Sequence, residues 1–437
     1  MLIIHRNDQY LKRPELAMSH QLSDQLHSQG SDRFLLFTAR GLRMFAYGFL
    51  AIILALYLKE LGFSEGKIGL LLTLTLLGDI PVSLLLTTSA DRIGRKRTLV
   101  IGAVLMLFAG IVFVSTGTFW LLLVAATVGV ISPSGYEVGP FLPVEQAALS
   151  HVVTDRGRTR VFAWYNLSGT LATAFGSLAG GAIAHGLQDR GVSPLTSYRW
   201  VLAGYAAMGM VMTLVFLLLS PAVEADRQRI AGAAKSFMGL NKSRGKVLKL
   251  SGLFAIDAFG GGFVVQSLIV LWFSKTYPGI SELNLGAIFF GANVLAAISA
   301  LSASWLAARI GLINTMVFTH LPSNILLILV PFMPNLPLAI LMLMVRFSIS
   351  QMDVPTRQSY TMAIVEADER SAAAGVTGVS RSVGAMLAPG IAGKLLQMGG
   401  MWTAMPFVLG GGLKIIYDIA LYRSFQSIKP PEEGNPR

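Results

Sequence analysis

The chain has 437 residues, 53% of them hydrophobic and only 13% charged, against roughly 25% charged in a soluble globular protein. A chain this apolar needs lipid as its solvent, and the absence of cysteine excludes disulfides and thiolate metal sites. The formal charge of +12 would point to nucleic acid in a soluble protein, but in a membrane protein the positive-inside rule accounts for it.

Residues 1–32 are polar and lack the apolar core of a signal peptide, which predicts a cytoplasmic tail, with Met18 as a second candidate start. Apolar stretches long enough to cross a bilayer, about 20 residues each, recur near 33–58, 66–89, 98–116, 119–150, 161–187 and 199–220. A basic central segment, 221–247, follows. Six more spans lie near 248–276, 283–307, 315–332, 336–365, 371–398 and 403–425, leaving a short tail at 426–437. The predicted fold is an all-α membrane protein: twelve transmembrane helices in two six-helix bundles, 33–220 and 248–425. With the N-terminus inside, 24 of the 35 cations fall in cytoplasmic segments, six on the outer side and five within spans. That bias places both termini in the cytoplasm of a multi-pass protein of the cell (inner) membrane.

In chain order, span one places Arg40, Arg43 and Tyr47 on one face, and span two carries Asp79. Between spans two and three lies Thr87–Lys96, TTSADRIGRK, followed by Arg97. Gly94 permits a tight turn there, and the cations hold the loop at the membrane face. Span four is rich in helix breakers, Pro133, Gly135, Gly139, Pro140 and Pro143, and holds Glu137 and Glu145. It forms either a kinked helix or a break, and broken backbone at membrane depth often lines a binding site. Span five repeats small residues at Ala172, Gly176, Ser177, Gly180 and Gly181, a spacing that lets helices approach closely. Span seven contains Asp257 and Gly260–Gly262. On span ten Arg346, Ser350, Asp353 and Arg357 step by four, three and four along one face. Span eleven contains Arg381. In span twelve Lys414 and Asp418 stand four apart, which predicts a direct pair. His185 and His320 are read as packing or interface residues.

The halves repeat. Ala90-Asp-Arg-Ile-Gly94 recurs as Ala307-Ala-Arg-Ile-Gly311, 217 residues later, and Pro143-Val-Glu-Gln146 as Pro355-Thr-Arg-Gln358, 212 later. The first offset maps Arg40 onto Asp257. Matches in register on corresponding spans indicate a duplicated six-helix unit.

The loop Thr87–Lys96 resembles motif A of the major facilitator superfamily, G-x-x-x-D-R-x-G-R-R/K, with Thr87 in place of the first glycine. Span five resembles the motif C of that superfamily's antiporters, with Ala172 for a glycine and Ser177 for the proline. Span eleven carries a similar pattern, Gly384, Ala388, Pro389, Ala392 and Gly393. The chain is thus identified as similar to drug/proton antiporters, of an uncharacterised branch that the stretch Ser132–Pro143 also resembles. The resemblance implies that spans 1, 4, 7 and 10 line a central cavity. It also implies that Asp91, Arg92, Gly94 and Arg95 belong to a cytoplasmic gate, with Glu145 and Arg357 as candidate partners.

Ten ionisable residues sit inside spans, five of each sign: Arg40, Arg43, Asp79, Glu137, Asp257, Arg346, Asp353, Arg381, Lys414 and Asp418. Each would cost about 3 kcal/mol facing lipid, a sum well beyond a domain's net stability, so they face one another or water. A carboxyl in low-dielectric surroundings holds its proton more readily than in water, which makes Asp79, Glu137, Asp257 and Asp353 the proton-coupling candidates. Arg40, Arg43, Tyr47, Arg346, Arg381, Lys414 and Asp418 are the substrate-binding candidates, the guanidiniums offering forks for carboxylate or phosphate. The expected function is secondary transport of a small organic solute by alternating access, as proton-coupled export. The alternative is uptake or exchange of an organic anion, in which Arg40 would be essential for binding. A non-transporting receptor is a third reading, but no additional soluble domain is present to carry a signal. No nucleotide loop, His-Glu-x-x-His or nucleophile elbow suggests an enzyme. The expected partners are the solute, protons and the lipid bilayer, with no nucleic acid, cofactor or metal, and the chain is expected to act as a monomer.

Overall fold

The computed structural model describes residues 8–135, 137, 139–153, 158–224, 240, 242–366 and 369–428, apart from the side chains of 8–29, 151, 158–160 and 371. Most of the central segment, the tail from 429 and the cations Arg6, Arg156, Arg227, Arg229, Lys235, Lys429 and Arg437 lie outside the described residues.

The described residues are all-helical. The first half comprises α1 (Asp8–Glu60), α2 (Glu65–Ile93), α3 (Arg95–Ser115), α4 (Phe119–Val128), α5 (Phe141–Val152), α6 (Arg158–Gln188) and α7 (Pro194–Leu217). The second comprises α8 (Arg244–Gly262), α9 (Gln266–Thr276), α10 (Glu282–Ile310), α11 (Leu312–Leu329), α12 (Leu336–Ser350), α13 (Asp353–Ala363), α14 (Arg370–Met398) and α15 (Met405–Phe425). Among the described residues, ten helical segments are long and apolar enough to cross a membrane, counting α8–α9 and α12–α13 as one each. The remaining two predicted spans are the interrupted α4–α5 and α14, which has 29 residues but many Gly, Ala and Ser.

Three spans are broken, each for a local reason. Span four opens between Val128 and Phe141, where Gly135 and Gly139 take φ of 72° and 80°. Span seven opens after Gly260–Gly262. Span ten, which the sequence reads as continuous, breaks at Gln351–Met352; Pro355 lacks the N–H that Gln351 would need and its ring crowds that carbonyl. Backbone freed at membrane depth needs partners. The Pro133 carbonyl accepts from the Ser267 N–H at 3.2 Å and from its hydroxyl at 2.7 Å. Ser267 Oγ also lies 3.0 Å from the Ala51 carbonyl, so spans one, four and seven meet at one serine.

Packing obeys the repeat. In the first half α1 packs on α6 and α7, and α3 on α7; in the second, α8 packs on α14 and α15, and α11 on α15. The halves join along α2–α14 and α6–α10. These seams need glycine. A β-carbon on Gly181 would lie 2.1 Å from the Glu282 carbonyl oxygen, and one on Gly69 would lie 2.3 Å from that of Pro389. The small residues of span five serve this contact, while Gly176 and Gly180 approach Phe45 and Phe49 of α1 equally closely. Gly181→Val is therefore expected to lower thermal stability by about 1–3 kcal/mol, whereas Gly186→Ala, with open space around it, leaves the melting temperature unchanged; equal melting curves for both variants would refute the seam.

Candidate functional site

Between the halves lies a cavity of about 790 Å³. It runs from Gln266 and Ile269, beside the Ser267 crossing, to Thr88 and Gln358, near the 90–97 loop. Its wall includes Asp79, Glu137, Asp257, His320, Arg346, Asp353, Arg357, Arg381 and Lys414.

In the first half, Arg40 and Arg43 of α1 converge on the carboxylates of span four. Arg40 pairs with Glu137 and donates to the Tyr165 carbonyl at 2.8 Å. Arg43, wholly buried, grips Glu145 with both ends of its fork, at 2.5 and 2.7 Å, and reaches Glu137 at 3.1 Å. Tyr165 donates its hydroxyl to the same Glu145. Bidentate charge-assisted bonds of this kind are the strong ones. Two cations and two carboxylates thus neutralise one another, with Arg43 and Glu145 fully buried and Glu137 at the cavity wall.

In the second half Asp257 is the hub. Its carboxylate accepts from Lys414 Nζ at 2.6 Å, Arg381 at 2.9 Å and Arg357 at 3.1 Å. Arg357 also binds Asp353 at 3.0 Å. His320 links two carboxylates, with Nδ1 2.8 Å from Asp418 and Nε2 3.9 Å from Asp257. Asn324 donates to Asp418 at 2.9 Å.

Asp79 differs from the other cavity carboxylates. It accepts from Ser83 Oγ at 3.0 Å and from the Gly139 N–H, in the break of span four, at 3.3 Å. Among the described residues it has no cation within 4 Å, whereas Glu137, Asp257 and Asp353 all do.

Several expectations are corrected here. Lys414 and Asp418 do not pair: Lys414 reaches across to Asp257, and His320 and Asn324 of α11 occupy Asp418. His320 is accordingly part of the ion network, not a packing residue. Arg40 does not face the cavity; Arg40, Arg43, Tyr47 and Asp418 stand behind its wall, and Tyr47 is fully buried. Arg346, Asp353 and Arg357 do share the cavity with Asp257. Among the described residues Glu145 and Arg357 form no ion pair with the 90–97 loop; each is held by an ion pair within its own half. Instead Arg95 binds Asp91 at 2.8 Å and donates to the carbonyls of Ala147 and Val223. Glu224 accepts from the Arg95 and Lys96 N–H groups at 2.6 and 3.2 Å, capping α3. Gly94, with φ of 110°, makes the turn, and Arg92 is exposed. His185 makes a short-range pair with Asp189.

At the opposite end, two contacts that the sequence reading missed close the cavity. Glu65, at the start of α2, binds Lys275 of α9 at 2.9 Å, and Lys275 also donates to the Leu396 carbonyl of α14 at 2.6 Å. The neighbouring Gly66 N–H donates to Gln397 of α14 at 3.1 Å. Glu282, at the start of α10, accepts from Tyr198 at 2.6 Å and Gln188 at 3.1 Å, both from the first half. Glu65 and Glu282 stand 217 residues apart, in the matching segments Ser64-Glu-Gly-Lys-Ile-Gly69 and Ser281-Glu-Leu-Asn-Leu-Gly286. That repeat was available in the sequence as a signal.

Comparison with known proteins agrees with this architecture. The sequence profile of the Major Facilitator Superfamily matches residues 36–352. An uncharacterized membrane protein of Saccharomyces cerevisiae is 31% identical over 423 residues, covering 90% of this chain and 94% of the yeast protein. A Na(+), Li(+), K(+)/H(+) antiporter of Planococcus maritimus is 30% identical over 130 residues, 30% of each chain. The crystal structure of the nucleoside transporter NupG superposes with a TM-score of 0.70 over 90% of this chain and 99% of its own, at 14% identity, a likeness of fold alone.

Proposed function

The chain belongs to the major facilitator superfamily, and from that premise we propose that it couples movement of a small organic solute to protons, with Asp79 as the proton-carrying group. Members of this superfamily are secondary transporters, not enzymes, so the coarse activity is solute transport by a multi-pass membrane protein. The single observation that carries proton coupling is the isolation of Asp79. A carboxylate held by cations keeps its charge, whereas one that meets only a hydroxyl and an N–H in a cavity wall is free to gain and lose a proton. Its bond to Gly139 ties that proton to the broken backbone of span four. In this reading the 90–97 loop and both termini face the cytoplasm of the cell membrane, on the support of the cation count, and the six-helix units 33–220 and 248–425 rock about the cavity. The arrangement described is then inward-facing, closed at its outer end by Glu65 and Glu282.

Export draws support from the likeness of span five to the antiporter motif and from the antiporter relative. A second reading, transport of an organic anion, is favoured by Arg346 and Arg381 in the cavity wall, Arg381 with about a third of its side chain exposed.

A ligand-stabilisation screen of the purified protein, followed by proteoliposome flux with the hits, tests the coupling. A pH gradient is expected to drive wild-type flux, and Asp79→Asn is expected to abolish that drive while preserving counterflow of solute. Wild-type flux that ignores the pH gradient would sink the proposal.

A further inference from the structure

Counting the side chains of the two networks and the cavity wall among the described residues, the cations are Arg40, Arg43, Arg346, Arg357, Arg381 and Lys414. The carboxylates are Asp79, Glu137, Glu145, Asp257, Asp353 and Asp418. Leaving His320 aside, six cations meet six carboxylates when Asp79 is ionised. The imbalance is also distributed. The first half carries one more carboxylate than cations, which is Asp79, and the second half one more cation than carboxylates. Taking up a proton at Asp79 therefore leaves a surplus positive charge in a low-dielectric cavity, where an uncompensated charge is strongly disfavoured.

The second half can receive a compensating anion. Among the described residues Arg381 donates only Nη1, to Asp257, which leaves most of its five donors for a solute, and its partly exposed side chain lines the cavity. Arg346 lines the same wall. We infer that the cavity binds a proton at Asp79 and a monoanionic organic solute at Arg381 and Arg346 together, as an electrically neutral pair. Solute and proton then assist each other's binding and cross in the same direction, in contrast to the exchange implied by the span-five motif. This rests on Asp79 as the proton site and adds the solute class. The charged groups that share the cavity with Asp79 are Glu137 from span four, Asp257, Arg346, Asp353 and Arg357 from spans seven and ten, and His320, Arg381 and Lys414 from α11, α14 and α15.

The test uses matched probes on the full-length purified protein: benzoate, benzamide and benzylamine, and butyrate, butyramide and butylamine. At pH 6 each carboxylate is expected to raise the melting temperature more than its amide or amine. As pH rises, Asp79 loses its proton and anion affinity is expected to fall about tenfold per pH unit beyond the midpoint. Asp79→Asn, permanently neutral, is expected to bind the carboxylates at all pH values with that fall removed, and Asp79→Glu to restore the fall. Arg381→Gln is expected to lose the carboxylate preference. Preference for the amines or amides, no binding by either carboxylate, or an undiminished pH dependence in Asp79→Asn, which would assign the effect to another group, each overturns the inference. Amine or amide preference together with pH-driven flux that Asp79→Asn abolishes would overturn the joint binding alone and leave proton coupling at Asp79 standing.

Discussion

Asp257→Ala is expected to be among the most damaging single substitutions in the chain, because the buried Asp257 is the common partner of three cations, two of them buried. Among the described residues, Lys414 and Arg381 then lose the single carboxylate each binds and Arg357 keeps only Asp353. Removing one partner of a buried ion pair costs about 3–5 kcal/mol, against a net stability of about 5–15 kcal/mol for a typical protein. Asp257→Asn preserves the shape but leaves the surplus charge, so it is expected to be nearly as severe. The surplus itself suggests the rescue: in an Asp257→Asn background, Lys414→Met removes one uncompensated cation and is expected to restore much of the loss. Residues in one network couple in this non-additive way. Melting curves of the single and double variants in detergent measure it. An Asp257→Ala protein within about 1 kcal/mol of wild type would show that water already screens the cluster.

The contrast between Asp353–Arg357 and Lys414–Asp418 shows what could be read from the chain and what could not. Both pairs stand four apart on a helix, and spacing alone predicts contact for each. The first pair touches. The second does not, because α11 brings His320 and Asn324 against Asp418 while α8 offers Asp257 to Lys414. Helix periodicity states which residues share a face, but the partner across the interface depends on tertiary packing. Span positions were legible because lipid imposes length and apolarity on every crossing segment. Broken span four was legible as a cluster of glycines and prolines, but the break in span ten hangs on Pro355 alone, inside an otherwise regular polar stripe. The separation of Asp79 from its fellow carboxylates is likewise a fact of three dimensions. Nothing along the chain distinguishes it from Asp257, which collects three cations.

Replacing Glu65 and Glu282 with glutamine is expected to open the end of the molecule that they close. Each carboxylate ties one half to the other, Glu65 through Lys275 and Glu282 through Tyr198 and Gln188. The two ties sit on opposite seams, α2–α14 and α6–α10, at equivalent places in the repeat, so they resist the same rocking motion. Hydrogen bonds to a charged group contribute about 1.5–3 kcal/mol each, and about 1.4 kcal/mol is a tenfold change in an equilibrium. Losing one tie should therefore shift the closed-to-open ratio by about tenfold to a hundredfold, and losing both should favour the open state. The glycines beneath, Gly69 and Gly286, still allow the seams to close, so the double variant should fold and switch, not collapse. The chain has no native cysteine, so spin labels at introduced cysteines report the change cleanly. Lys67→Cys with Met398→Cys reads the first seam and Asp189→Cys with Leu283→Cys the second. Longer distances are expected in the double variant at both seams, with single variants intermediate at both. A single variant that opens only its own seam would show that the halves do not rock as rigid units, and unchanged distances in the double variant would show that glycine packing alone holds that end shut.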